Sequence, residues 1–203
     1  MKNLRNISFA IITTLVFGFT TSQAQTTSIG PVLGINVSTF TAEPNTKPLV
    51  GFTAGGFINH SIEEHFGINA KLLYSQLGSA YTFNTDINRL HYIQVPVSGV
   101  YYFGNNGQKF RPKISVGLYG GSLLSANHKS GDNVVANDGS PYYKKGDFGG
   151  LLGAGFNYLV GSKTWLNFDA GYQAGFVDVT TSNATDFKNK GFTVTLGLSF
   201  PIK

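Results

Sequence analysis

The chain has no cysteine among its 203 residues. No disulfide can staple it, and no lipid-bearing cysteine can tether it, so a hydrogen-bonded sheet and packing must hold the fold. Charge is also scarce. Asp, Glu, Lys and Arg together make 12% of the chain, about half the usual 25% of a soluble domain. Long greasy runs are missing as well, since the one apolar stretch, "ISFAIITTLVFGF" at residues 7–19, is shorter than the ~20 residues a spanning helix needs. Mean hydropathy is nonetheless near zero, so the chain is neither disordered nor a helical membrane protein. What it has in excess is 26 glycines, 17 phenylalanines and 10 tyrosines, the vocabulary of short strands and turns.

Residues 1–24 read as a cleaved signal peptide. Lys2 and Arg5 precede the apolar run, and "TTSQAQ" offers small residues at Ser22 and Ala24 for cleavage. The domain proper then spans 25–203. The 15 basic residues less Lys2 and Arg5 leave 13 against 10 acidic ones, a net charge of +3. So small an excess, scattered along the chain, does not point to nucleic acid.

Eight segments after the leader alternate with period two, which is the strand signature. They fall near 28–40, 49–59, 66–78, 90–103, 113–125, 147–159, 165–177 and 191–200, and most reach the ~9–11 residues of a membrane-crossing strand. In "GFTVTLGLSF" one parity holds Phe192, Val194, Leu196, Leu198 and Phe200, and the other Thr193, Thr195, Gly197 and Ser199. Across all eight segments the second parity is small and neutral, with Asn36, Ser38, Thr53, Ser75, Ser98, Ser115 and about half the glycines. A water-facing sheet would carry Lys and Glu there. A small, crowded polar face suits the inside of a narrow barrel, and the greasy face then meets lipid.

Connection lengths support the same reading. Long, turn-rich segments follow the first, third, fifth and seventh strands, and short ones ("HSIEEH", "GNNGQK", "VGSKT") follow the second, fourth and sixth. That alternation belongs to an up-and-down membrane barrel with long loops outside and tight periplasmic turns. On the lipid parity, Phe66, Tyr101, Phe103, Phe156, Tyr158 and Phe200 gather near the short-turn end. Phe52, Tyr74, Phe148, Phe176 and Phe192 gather near the long-loop end, as two headgroup girdles would require. Trp165 falls on the wrong parity.

"LHYIQVPVSGVYYF", residues 90–103, resembles the fourth-strand signature of the PorT-like outer-membrane β-barrel family, carried here by Tyr92, Pro96 and Tyr101. "GPVLGINVSTF", with Gly34 and Asn36, is similar to the opening strand of that family, and "GFTAGGF", "LLYSQLGSAY" and "TLGLSFPI" match too. The resemblance implies an eight-stranded outer-membrane barrel, and in one branch of the family a part in protein secretion. Pro96 lies in a central strand, where it removes one ladder donor, so a local bulge is expected there.

Lys71 and Asp169 are the sharpest candidate pair. Both sit mid-strand on the inner parity, in strands three and seven, which face each other across an eight-stranded ring. An ion pair between them would satisfy two buried charges. Asn69, Gln94, Asn167 and Gln173 could complete a lumen network, with Lys113 and Arg111 nearer the periplasmic mouth. The network either plugs the lumen or lines a narrow, porin-like ion path. His60 and His65 flank a turn with Glu63 and Glu64, but at spacing that fits no standard metal site. Ser79, His91 and Asp86 form a thin constellation for an outer-membrane lipid-modifying enzyme. The longest loop, 126–146, could meet a surface partner.

The expected fold class is therefore all-β: an eight-stranded antiparallel up-and-down transmembrane β-barrel in the bacterial outer membrane. A structural or interaction role is expected, as a scaffold for outer loops or an accessory of a secretion system, and not as an enzyme. The expected partners are outer-membrane lipids and surface or secretion-system proteins, with the chain a monomer and neither metal nor cofactor implied. A narrow channel and a soluble barrel with a greasy lumen are the competing readings.

Overall fold

The computed structural model describes residues 26–41, 45–83, 86–136, 139–181 and 186–202, so the segment 1–24 expected to be a signal peptide lies outside the described residues. Eight strands follow one another: β1 Thr27–Phe40, β2 Thr46–Ser61, β3 Phe66–Tyr81, β4 Ile87–Tyr102, β5 Phe110–Asn127, β6 Gly146–Leu159, β7 Trp165–Gly175 and β8 Asn189–Ile202. Each pairs antiparallel with the next, and β8 returns to β1, with Leu33 opposite Leu196 and Ile35 opposite Val194. The sheet is a closed barrel. Closure leaves no backbone edge to be satisfied by lipid, which cannot do it.

The alternation resolves as the composition demands. Leu33, Val116, Leu152 and Phe192 are between 64% and 66% exposed, whereas Asn36, Thr53, Ser75 and Ser199 on the other parity are 1–2% exposed. The oily stripe faces out. A soluble carrier would have the reverse polarity.

The girdles form by contact between neighbouring strands. At the short-turn end Tyr101 packs edge-on against Phe66 and Phe103 at 5.0 and 5.1 Å, and Phe156 meets Phe110 and Phe168 at 5.2 Å each. At the other end Phe52 meets Tyr74, Phe148 meets Phe176 and Tyr172 meets Phe192, at 4.9–5.9 Å. Trp165 is paired with Ser199, a buried lumen residue, so it takes the inner parity at the periplasmic end.

Two expectations need correction. The strict alternation of long and short connections is not kept, because β2, β3 and β4 run three residues further outward than their greasy pattern does. The first and second outer connections shrink to 41–45 and 82–86, while 128–145 and 176–188 stay long. Strands of 14–18 residues exceed what a bilayer needs, and outside it the outward face no longer has to be apolar. Nor is there a bulge at Pro96. Pairing of β3 with β4 lapses opposite Pro96 and resumes in unchanged register, Leu73 with Gln94 and Ala70 with Val97, while Pro96 stays opposite Tyr119 on β5. The missing N–H removes a rung without adding a residue.

The bulges lie higher. One shifts β2 against β3 between Pro48 and Thr53, close to Gly78, whose φ of 131° only glycine adopts freely. The Gly78 amide donates to Ser38 Oγ at 2.9 Å, and that hydroxyl donates to the Gly78 carbonyl at 3.1 Å. The other shifts β4 against β5 between His91 and Tyr92, leaving Leu124 as the extra residue.

Candidate functional site

The interior is layered. At mid-height β7 supplies Asp169, β3 supplies Lys71 and β5 supplies Lys113, all by inward alternation. Lys71 Nζ donates to Asp169 Oδ2 at 3.1 Å, and Lys113 Nζ reaches Asp169 Oδ1 at 2.7 Å. One carboxylate thus bridges two ammonium groups across the ring, each oxygen taking one. Lys113 is nearly fully buried, at 5% side-chain exposure.

Around this triad lies a cavity of about 100 Å³, whose lining also includes Gln94, Gln173, Asn36 and Thr195. Gln94 and Gln173 are not joined to the other candidates. Their Nε2 atoms have no hydrogen-bond partner among the described residues.

Asn69 and Asn167 belong instead to a layer nearer the periplasm, through Ser199, already on the inner parity, and Asn59, which the sequence did not single out. Asn69 Nδ2 donates to Asn59 Oδ1, and Asn59 Nδ2 to Asn167 Oδ1 at 3.2 Å. Asn167 Nδ2 then donates to Ser199 Oγ at 2.9 Å. The chain of amides crosses the barrel from β3 through β2 and β7 to β8. Below it Arg111 lies over the Tyr102 ring, 4.7 Å from its centroid, and donates to the Glu64 carbonyl.

The outer mouth is filled quite differently. Phe40, Leu77, Leu90 and Tyr92, on inner parities near the strand ends, form one buried cluster with Val134, Tyr143 and Val179 from the two long outer connections. Phe40 stacks on Tyr143 at 5.8 Å. Polar tips are met locally: Asn88 Nδ2 donates to the hydroxyls of Tyr81 and Tyr143 at 2.8 and 2.9 Å. Asn189 Nδ2 donates to Asp147 Oδ2 at 2.9 Å, with the Tyr119 hydroxyl 3.3 Å from the same oxygen. Their inward clustering was missed because they interrupt the small polar pattern of the lumen, and nothing local marks an aromatic as inward.

The signature residues separate as well. Tyr92 is in this outer cluster, Pro96 lines the cavity, and Tyr101 is in the inner girdle. Ser79 is fully buried, whereas His91 accepts or donates at Nδ1 with the Tyr74 hydroxyl on the lipid-facing side. Asp86 pairs with His128 at 3.0 Å. The three members of the enzyme constellation are not brought together. In the periplasmic turn, His60 bonds Thr27 and His65 bonds the Tyr102 carbonyl, and no metal-holding group of side chains occurs among the described residues.

The two long outer connections are tied by Asp178. Lys144 Nζ donates to it at 2.6 Å, and the amides of Thr180 and Phe187 at 3.1 and 2.9 Å. Burial pushes this carboxyl up, but Lys144 and the two amides outweigh it and hold it below its ordinary value of 3.8. A carboxyl depressed in the folded state stabilises above its ordinary pKa and ceases to do so as pH falls through the folded one. Hydrogen exchange of the Thr180 and Phe187 amides is therefore expected to stay protected from neutral pH down to about 4. Protection is expected to fail below 3.8, while the strand amides remain protected. In Asp178→Asn the acid-dependent loss should disappear.

A closed antiparallel ring with an oily exterior, two aromatic girdles and a polar, filled interior defines a transmembrane β-barrel of the bacterial outer membrane. The family model described as outer membrane protein beta-barrel domain matches residues 23–181, and the chain belongs to that family. Solved barrels share the fold at low identity. Neisserial surface protein A is 12% identical with a TM-score of 0.56, over 86% of this chain and 97% of that one. The outer membrane protein OprG from Pseudomonas aeruginosa is 11% identical at 0.56, over 88% and 96%, and Outer Membrane Protein W of E. coli 14% identical at 0.51, over 88% and 98%. No curated protein matches the sequence.

Proposed function

We propose that this barrel serves as a structural or interaction protein, a rigid stave that presents its outer connections at the cell surface, and not as an open pore. The observation that carries this is the outer cluster. Segments from both long connections insert Val134, Tyr143 and Val179 among Phe40, Leu77, Leu90 and Tyr92, so the loops are anchored into the mouth they would have to vacate for conduction. Eight strands leave an interior that side chains just fill, and here an amide layer occupies the other end. The separation of Ser79 from His91 supports a non-enzymatic role. The likeness of residues 90–103 to the PorT-like signature supports, within this reading, an accessory part in a secretion system.

Planar-bilayer recording is the test. The folded protein is expected to give no stable open steps at moderate voltage, and Tyr143→Ala, which removes the ring stacked on Phe40, at most brief flickers. Long-lived unitary steps from the native chain would replace this reading with the narrow-channel one.

A further inference from the structure

Above the outer girdle, the lipid-facing side of β2, β3 and β4 turns polar. Tyr74, which meets Phe52 in the girdle at 5.4 Å, shares a hydrogen bond with His91 Nδ1. Gln76 Nε2 donates to the same tyrosine hydroxyl at 3.4 Å. Arg89 Nη1 then donates to Gln76 Oε1 at 2.8 Å and to the Val50 carbonyl at 3.5 Å. The Arg89 side chain therefore lies across β3, from its own strand β4 to β2.

This guanidinium has no anion. Both of its acceptors are neutral, and a guanidinium carries five N–H donors. Asp86, close by in sequence, is taken by His128 at 3.0 Å and by the amides of Ile87 and Lys129. Among the described residues no carboxylate pairs with Arg89, nor with Lys47. Lys47 is exposed and stands opposite Ala80 on β3. It is three residues from Val50 along β2, about 10 Å at ~3.3 Å per residue, most of which an extended lysine side chain covers. Two cations thus reach one shelf, which exists because β2, β3 and β4 continue beyond their greasy stripe. On the same strands below it, Phe52, Leu72 and Val95 are 46–59% exposed.

We propose that this shelf docks a phosphorylated glycolipid of the outer leaflet. Arg89 and Lys47 hold its phosphate, and its acyl chains run down Phe52, Leu72 and Val95. The planar fork of arginine suits two phosphate oxygens at once, and the hydrogen bond from Gln76 fixes the fork in place. The girdle sets the shelf at headgroup height, and the apolar strip beneath gives acyl chains a surface that a free phosphate ion would leave unused. The site lies on the flank of the barrel and is independent of what the outer connections present.

Lipid A is the probe, with its dephosphorylated form as reference. The full barrel is titrated with each in neutral-detergent micelles, retained lipid is counted by native mass spectrometry, and unboiled electrophoresis checks that every variant is folded. One lipid A adduct per barrel is expected at concentrations where the dephosphorylated form gives none. Arg89→Gln should weaken that adduct about tenfold, the order of one charge-assisted hydrogen bond. Lys47→Gln should weaken it about threefold, since its charge is exposed, and it carries the test if Arg89→Gln fails to fold. Lys163→Gln removes the same charge from an exposed turn at the opposite end of the barrel and should change nothing. Equal retention of the two lipids would overturn the proposal, as would losses in Arg89→Gln or Lys47→Gln no greater than in Lys163→Gln. Labelled inorganic phosphate bound as tightly as lipid A would overturn it too, by marking a site for the free ion.

Discussion

Asp169→Leu is expected to destabilise the barrel by about 3–5 kcal/mol, the range seen when one partner of a buried ion pair is removed. Leucine keeps the branched four-atom skeleton of aspartate, and its larger volume has the adjoining cavity to enter, so the loss is chiefly electrostatic. It strands two ammonium groups, of which Lys113 at 5% side-chain exposure cannot turn to solvent, and Lys71 at 15% can do so only in part. The measurement is the urea midpoint of the compact, heat-modifiable band in micelles. Neutralising all three positions, as Lys71→Met, Lys113→Met and Asp169→Leu together, is expected to restore most of the loss, because a buried ionic cluster replaced whole by apolar side chains is often as stable as the original. Lys71→Met with Asp169→Leu should recover less, since Lys113 is left alone. A midpoint for Asp169→Leu within the scatter of surface substitutions would mean that the triad does not hold the lumen.

The pair at the centre of that prediction was legible because β-strand parity and ring topology are both arithmetic. Lys71 and Asp169 share the inner parity, and strands three and seven of eight must face each other. Lys113 was legible as inward, but its height was not. The register that brings it to 2.7 Å from the same carboxylate is set by strand tilt and shear, which no single strand displays. The amide layer was read in part for the same reason: Asn69 and Asn167 stood out as polar inward residues, while Asn59, the link between them, sat near a strand end.

The outer cluster was opaque. Phe40, Leu77, Leu90 and Tyr92 break the small polar pattern of the inner face, and their partners Val134, Tyr143 and Val179 come from turn-rich segments far along the chain. Nothing in period two foretells that a loop will fold back into the mouth. Strand ends failed similarly at β2, β3 and β4, where Lys47, Asn88 and Arg89 continue a ladder above the membrane with no apolar stripe to announce it. At Pro96 the physics was only half applied. The lost donor was foreseen, and the cheaper response, a skipped rung in constant register, was not.

Gly30→Ala is expected to be the most damaging single methylene-scale change in the barrel. Gly30 lies in β1 where the ring is closed against β8, and pairing there lapses between Ile29–Phe200 and Val32–Gly197. Pro31, next in line, has no N–H to give. A Cβ on Gly30 would stand 1.6 Å from the Leu198 carbonyl oxygen and 2.7 Å from its carbon. Both are backbone atoms, so no rotamer relieves the overlap. The seam itself must open, and in lipid each ladder group freed costs several kcal/mol because water cannot replace the lost partner. Gly56→Ala is the matched control. Gly56 is opposite Pro31 on β2, and its added Cβ would meet nothing nearer than the Gly30 carbonyl oxygen at 3.7 Å, an ordinary contact. Refolding into lipid vesicles followed by unboiled electrophoresis should give the compact band in full for Gly56→Ala and little or none for Gly30→Ala. Equal yields and equal urea midpoints for the two variants would show that the β1–β8 seam is not where this barrel is tightest.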